Sequence, residues 1–171
     1  MTENRMELAK RFLIICLIVL IYFTIWRSVR GFVTQNAVVP QIEYAIANCD
    51  ETISYQQSRA TSLYLFLLDR EKNEYETFGY VSPAGFYLLF GLLFIVMMGG
   101  SRIFYFFLFG FHFLFWILST ATILPGLCFH RIFLHITFAG VSYFTPFFTF
   151  LIIILLISPK LLHKFGLEKE I

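Results

Sequence analysis

The chain has 171 residues, is 58% hydrophobic with 23 phenylalanines, and carries a formal net charge of +2. A soluble fold of this length cannot bury that many rings. The small net charge, with no basic patch beyond the short termini, excludes nucleic acid as a partner.

The N-terminal stretch MTENRMELAKR (1–11) leads into the apolar run FLIICLIVLIYFTIW. Basic residues before an apolar run resemble a signal peptide. No small-residue cleavage site follows, however, and the run ends on Trp26 and Arg27, so an uncleaved anchor helix is predicted over 12–33.

Residues 34–79 are expected outside the membrane. That segment is too long for a plain loop in a compact bundle. After Pro40, Ile42, Ala45, Ile46 and Cys49 recur at helical spacing, which predicts a short helix opened by proline. TSLYLFLL and YETFGYV then flank DREKNE, which predicts a hairpin with Leu63, Leu65 and Leu67 on one face and Tyr64, Phe66 and Leu68 on the other. A strand apolar on both faces is covered on both or meets a partner, since an isolated hairpin is marginal in water.

From Thr77 to Pro159 the only charged side chains are Arg102 and Arg131. They divide the region into apolar blocks, each long enough to cross a hydrocarbon core that needs roughly 20 apolar residues. Three further membrane helices are predicted, over 80–99, 103–123 and 132–158, followed by a tail, 159–171. Ser82 and Pro83 read as cap and first-turn proline of the second helix. Its glycines (85, 91, 99 and 100) show no GxxxG spacing, so no specific dimer motif is present.

Four crossings place Arg5, Lys10 and Arg11, then Arg102, then Lys160, His163 and Lys164 on one side, the cytoplasmic one by the positive-inside rule. Between Arg27 and Phe78, five basic residues face seven acidic ones, which suits the outer side. The expected fold class is an all-α membrane protein with four transmembrane helices and a small extracytoplasmic helix-plus-hairpin segment. The expected setting is the cell membrane, in particular the bacterial cytoplasmic membrane, with both termini cytoplasmic.

Polar residues inside such helices must face other helices or a wet cavity. In the fourth helix Arg131, His135, Ser142, Thr145 and Thr149 fall within about 40° of one line at 100° per residue. In the third, Tyr105, His112, Trp116 and Ser119 share a face. These groups, with His112 bonded across to Thr145 or Ser142, are expected as an interhelical polar stripe.

Cys128, His130, Arg131 and His135 crowd the turn between helices three and four. A thiol, a base and a guanidinium are the parts of a cysteine nucleophile's site. This inventory resembles that of exosortase-like membrane transpeptidases, which use a cysteine, an arginine and a histidine near the outer face. In those enzymes the groups stand on separate helices, whereas here they lie in one turn. An inert cysteine, with no catalytic residue in the chain, is the primary expectation.

Cys49 and Cys128 both fall on the outer side, so a bridge between them is open in an oxidising compartment, while Cys16 lies within the first helix. No CxxC pair, zinc spacing, GxGxxG, Walker loop or HExxH occurs, so neither metal nor cofactor is expected. With no carboxylate in the three predicted helices after residue 79, the expected role is a non-catalytic accessory subunit of a cell-envelope assembly for secretion, surface sorting or polymer export. Its expected partners are the lipid bilayer and other membrane subunits. The alternatives are a small membrane enzyme built on the Cys128 cluster and a small oligomeric transporter.

Overall fold

The computed structural model describes residues 2–50, 52–69 and 73–164. It is mostly helical with one small sheet. Three helices are long and apolar enough to cross a membrane: Met6–Asn48, Arg102–Cys128 and Ile132–Ser158. A shorter apolar helix, Phe86–Met98, lies between the first and second of these.

The first helix does not stop near residue 33. It runs without a break through α1 (Thr2–Ile21), a widened π-helical turn (Tyr22–Trp26), α2 (Arg27–Val33), a second π turn (Thr34–Val38) and α3 (Val39–Asn48). Pro40 therefore sits inside a longer helix rather than opening a new one. A proline lacks the N–H of the helical ladder and its ring crowds the carbonyl four residues back. The π turn just before it gives that ring room. The same device recurs later in the chain, where the π turn Gly140–Phe144 precedes Pro146 at the second position of its helix.

The outer segment is a three-stranded antiparallel sheet rather than a lone hairpin. Its strands are β1 (Ser54–Arg59), β2 (Ser62–Asp69) and β3 (Glu74–Val81), in the order β1-β2-β3. β1, SYQQSR, has no apolar alternation and its residues are mostly exposed. It is held by its ladder to β2, with Tyr55 opposite Leu65 and Gln57 opposite Leu63. β2 and β3 are the expected hairpin, in register from Ser62–Val81 to Asp69–Glu74. Residues 70–72 of its polar turn lie outside the described residues.

Leu63, Leu65, Leu67, Phe78 and Tyr80 form the sheet's inner face. They pack with Val38, Ile42 and Ala45 of the first helix, and with Ile123, Leu127 and Leu134. Burial pushes the Tyr80 phenol above the usual tyrosine range, so it stays protonated.

Helix α4 (Phe86–Met98) starts later than expected. Residues 80 and 81 belong to β3, and Ser82 to Gly85 are not helical. Ser82 therefore caps nothing and Pro83 is not a first-turn proline. The reason lies in the first helix. Arg30 donates to the carbonyls of Ser82 and Pro83, the latter at 2.9 Å, and Trp26 Nε1 donates to that of Ala84 at 2.8 Å. With three successive carbonyls held from the side, the chain enters α4 only at Phe86, and Ala84 takes a left-handed φ of 54°.

Helix α5 (Arg102–Ala121) continues into α6 (Ile123–Cys128), so the PGLC stretch is helical rather than a loop. The last segment comprises α7 (Ile132–Ala139), the π turn and α8 (Thr145–Lys164). A second core joins Leu88 and Ile95 of α4, Leu108 and Trp116 of α5, and Ile152 and Leu156 of α8. Gly91 sits at that crossing, where a Cβ would lie 2.8 Å from a Leu108 methyl and 3.2 Å from Thr149.

Outside these cores, Phe12, Leu17, Phe23, Phe106, Phe107, Ile117, Phe147 and Ile154 are all exposed. So broad an apolar girdle suits contact with lipid rather than water.

Candidate functional site

The polar stripe expected on the last helix divides in two. Arg131 and His135 turn to the sheet. Arg131 donates to the Leu68 carbonyl at 2.7 Å, and its guanidinium lies 3.6 Å from Glu76. His135 lies 3.3 Å from the other Glu76 oxygen and edge-on to Phe78. These contacts are partly solvated, where even a full ion pair such as Arg131–Glu76 contributes about 1 kcal/mol or less. Their use is to fix α7 against β3.

Thr145 and Thr149 instead face the bundle and are buried, while Ser142 is exposed. The π turn between the two groups adds a residue to the helical repeat, so one straight line at 100° per residue does not survive it. His112, at the middle of α5, meets Thr149, with Nε2 3.1 Å from Oγ1. The expected bond to Thr145 or Ser142 is thus made one turn further along. His112 Nδ1 is buried and has no hydrogen-bond partner. Removing this link with Thr149→Val is expected to cost about 1–2 kcal/mol, because it leaves the buried imidazole without its hydrogen-bond partner. A thermal midpoint in detergent equal to that of the unaltered chain would show that the bond contributes nothing.

The residues of the nucleophile alternative separate. Cys128 is joined to Cys49 by a disulfide, with Cα atoms 5.1 Å apart and a sequence separation of 79. A bonded sulfur carries no thiolate. His130 Nδ1 accepts from the Ile132 N–H at 3.2 Å, a local cap, and Arg131 and His135 are turned to Glu76. Cys16 is a free thiol on the exposed surface of the first helix. Among the described residues no three His, Cys, Asp or Glu side chains gather where they could hold a metal ion.

The disulfide ties the end of α3 to the end of α6. Beside it, the Gln41 side-chain oxygen accepts the Leu124 N–H at 3.3 Å. The sheet is clasped beneath these helix ends and α7. Its other face carries Tyr64, Tyr75 and Val81, exposed to 46%, 65% and 53%, with Phe66 and Leu68 half-buried between them. Tyr64 lies over Gly79, its cross-strand partner. Sequence reasoning identified both faces of β2 but not the contributions of Tyr75 and Val81, whose outward placement follows from their register with Leu68 and Ser62.

A second feature, missed in the sequence, surrounds Arg30. This side chain is only 6% exposed, although arginine is rarely buried without a partner. A cavity of about 220 Å³ opens beside it, lined also by Ser82, Gly85, His112, Ser142 and Thr145. The arginine was legible only as a charge close after an apolar run.

No family model matches the chain, and neither a curated protein nor a solved structure is similar to it.

Proposed function

We propose that the chain is a non-catalytic accessory subunit of a cell-envelope membrane assembly, of the kind that serves secretion, surface sorting or polymer export. The observation that carries this reading is the outward face of the sheet. Tyr64, Phe66, Leu68, Tyr75 and Val81 make an aromatic and aliphatic surface on a module clamped by a disulfide. Such a surface suits a protein partner. Bonding of Cys128 to Cys49 removes the thiolate that the transpeptidase-like alternative needs.

The proposed topology has four crossings with both termini cytoplasmic. Arg11 donates to the Met97 carbonyl at 3.0 Å, and Gly100 lies against Leu156. The start of the first helix, the end of α4 and the last helix thus meet at one end, where the basic residues cluster. The disulfide and the sheet lie at the other end, as an oxidising exterior requires. Helix α4, with 13 residues, spans about 20 Å, short of the roughly 30 Å core. The remaining depth is taken by residues 82–85, where Arg30 and Trp26 satisfy the carbonyls of Ser82, Pro83 and Ala84 and the first turn of α4 satisfies that of Gly85. Irregular backbone is tolerated in a membrane when protein groups cover it in this way.

Two measurements test the reading. In a chain with Cys16→Ser and the disulfide kept, Ser54→Cys should react with an impermeant thiol reagent on intact cells and Ser101→Cys should not; the reverse pattern overturns the topology. Purification in mild detergent should yield a defined complex with at least one other membrane protein, in fixed stoichiometry. A solitary, stable species from native membranes would remove the accessory role.

A further inference from the structure

We propose that the Arg30 cavity is a binding site for an anionic phosphoryl group, in particular the headgroup of a membrane lipid. Among the described residues no carboxylate pairs with Arg30. Its neighbours are the neutral phenols of Tyr22, which hydrogen-bonds to it, and Tyr80, together with a second guanidinium, Arg27. Carbonyls of the 82–85 turn take part of its hydrogen-bonding capacity but none of its charge. A buried cation with no counter-charge is costly, and an anion entering beside it relieves that cost.

Three further features fit the same ligand. Helix α4 opens at the cavity with Gly85 as its N-cap and no side chain capping it, and a helix N-terminus favours anions. Gly85 leaves the approach clear, since a Cβ there would lie 2.8 Å from a guanidinium nitrogen. Ser82 and His112 both line the cavity at 1% exposure; the Ser82 hydroxyl neighbours the Tyr80 phenol, and His112 Nδ1 has no hydrogen-bond partner.

Depth selects the source of the anion. Arg30 follows Arg11 by nineteen positions in one continuous helix, about 28 Å at 1.5 Å per residue. With Arg11 at one edge of the hydrocarbon core, Arg30 stands near the other, within a long side chain's reach of the lipid phosphates. Phe86, Tyr87 and Val141 on the cavity wall supply apolar surface for the adjoining glycerol and acyl carbons.

The test is native mass spectrometry of the full chain in mild detergent with phosphatidylglycerol and phosphatidylcholine added equally. One phosphatidylglycerol per chain should be retained, at least about tenfold more tightly than phosphatidylcholine. Arg30→Gln should abolish the preference. Because Arg30 also holds the 82–85 turn, Ser142→Phe serves as the second variant: it narrows the cavity from an exposed position, leaves Arg30 in place, and should weaken phosphatidylglycerol at least about tenfold without changing the thermal midpoint. Failure of millimolar inorganic phosphate to compete supports a lipid ligand; full competition supports the anion site but assigns it to free phosphate. Equal retention of the two lipids, or a preference that survives Ser142→Phe, overturns the site.

Discussion

Replacing Cys49 and Cys128 together by serine is expected to loosen the outer module more than any change of a single exposed residue. The bridge closes a loop of 79 residues in sequence. In the chain-entropy picture, a loop of that length corresponds to about 4.5 kcal/mol for a free chain. Here the first helix and α5 are already long helices, and in a bilayer their ends cannot wander freely when the module unfolds. The expected loss is therefore about 2–4 kcal/mol. Protease sensitivity of the segment from Ser54 to Val81, set against that of the bundle, is the appropriate readout, because the second core around Leu108 and Ile152 does not include the cysteines. The single variants add a sharper comparison. A structural bridge predicts that Cys49→Ser and Cys128→Ser are equally damaging. A nucleophile at Cys128 predicts that Cys49→Ser is tolerated while Cys128→Ser abolishes function.

Leu65→Ala is the second large effect. Leu65 lies at the centre of the middle strand with 0% exposure, opposite Tyr55 on one side and Phe78 on the other. Large-to-small changes at such sites cost about 2–5 kcal/mol, the spread reflecting how far the surroundings collapse. Neighbours here come from two directions, the sheet and the helices behind it, and the disulfide limits their approach. The upper half of that range is expected. Tyr64→Ala, one residue away on the opposite face, should cost about 1 kcal/mol or less, its main loss being cover over Gly79. Thermal midpoints of the two variants in the same detergent decide the matter. Similar losses would mean that the two faces of β2 are equally buried, and the outward face would then not be free for a partner.

What the sequence disclosed follows from period and charge. Leu63, Leu65 and Leu67 alternate with Tyr64, Phe66 and Leu68, and both faces of β2 are legible at once. The apolar blocks cut by Arg102 and Arg131 mark the later helices. What stayed hidden depends on tertiary contacts or on changes of helical period. β1 is polar throughout and is a strand only because β2 offers it a ladder. Pro40 reads as a start signal, and nothing local announces the π turn that lets the helix pass through it. Ser82 and Pro83 carry good capping chemistry, yet Arg30 and Trp26, more than fifty residues earlier, hold the carbonyls that decide where α4 begins. The stripe from Arg131 to Thr149 assumed one unbroken period. The π turn at Gly140–Phe144 divides it into a sheet-facing pair and a bundle-facing pair.

The reading of the chain as a partner-bearing subunit rests on the outward face of the sheet, so that face is the place to look. A photo-crosslinking amino acid placed at Tyr64 or Tyr75 in intact cells should give, from both positions, an adduct of one and the same mass with a second membrane protein. The same probe at Gln57, on the polar edge strand, should give far less of it. Adducts from Tyr64 and Tyr75 that contain only a second copy of this chain, or no discrete adduct from either, would contradict the account.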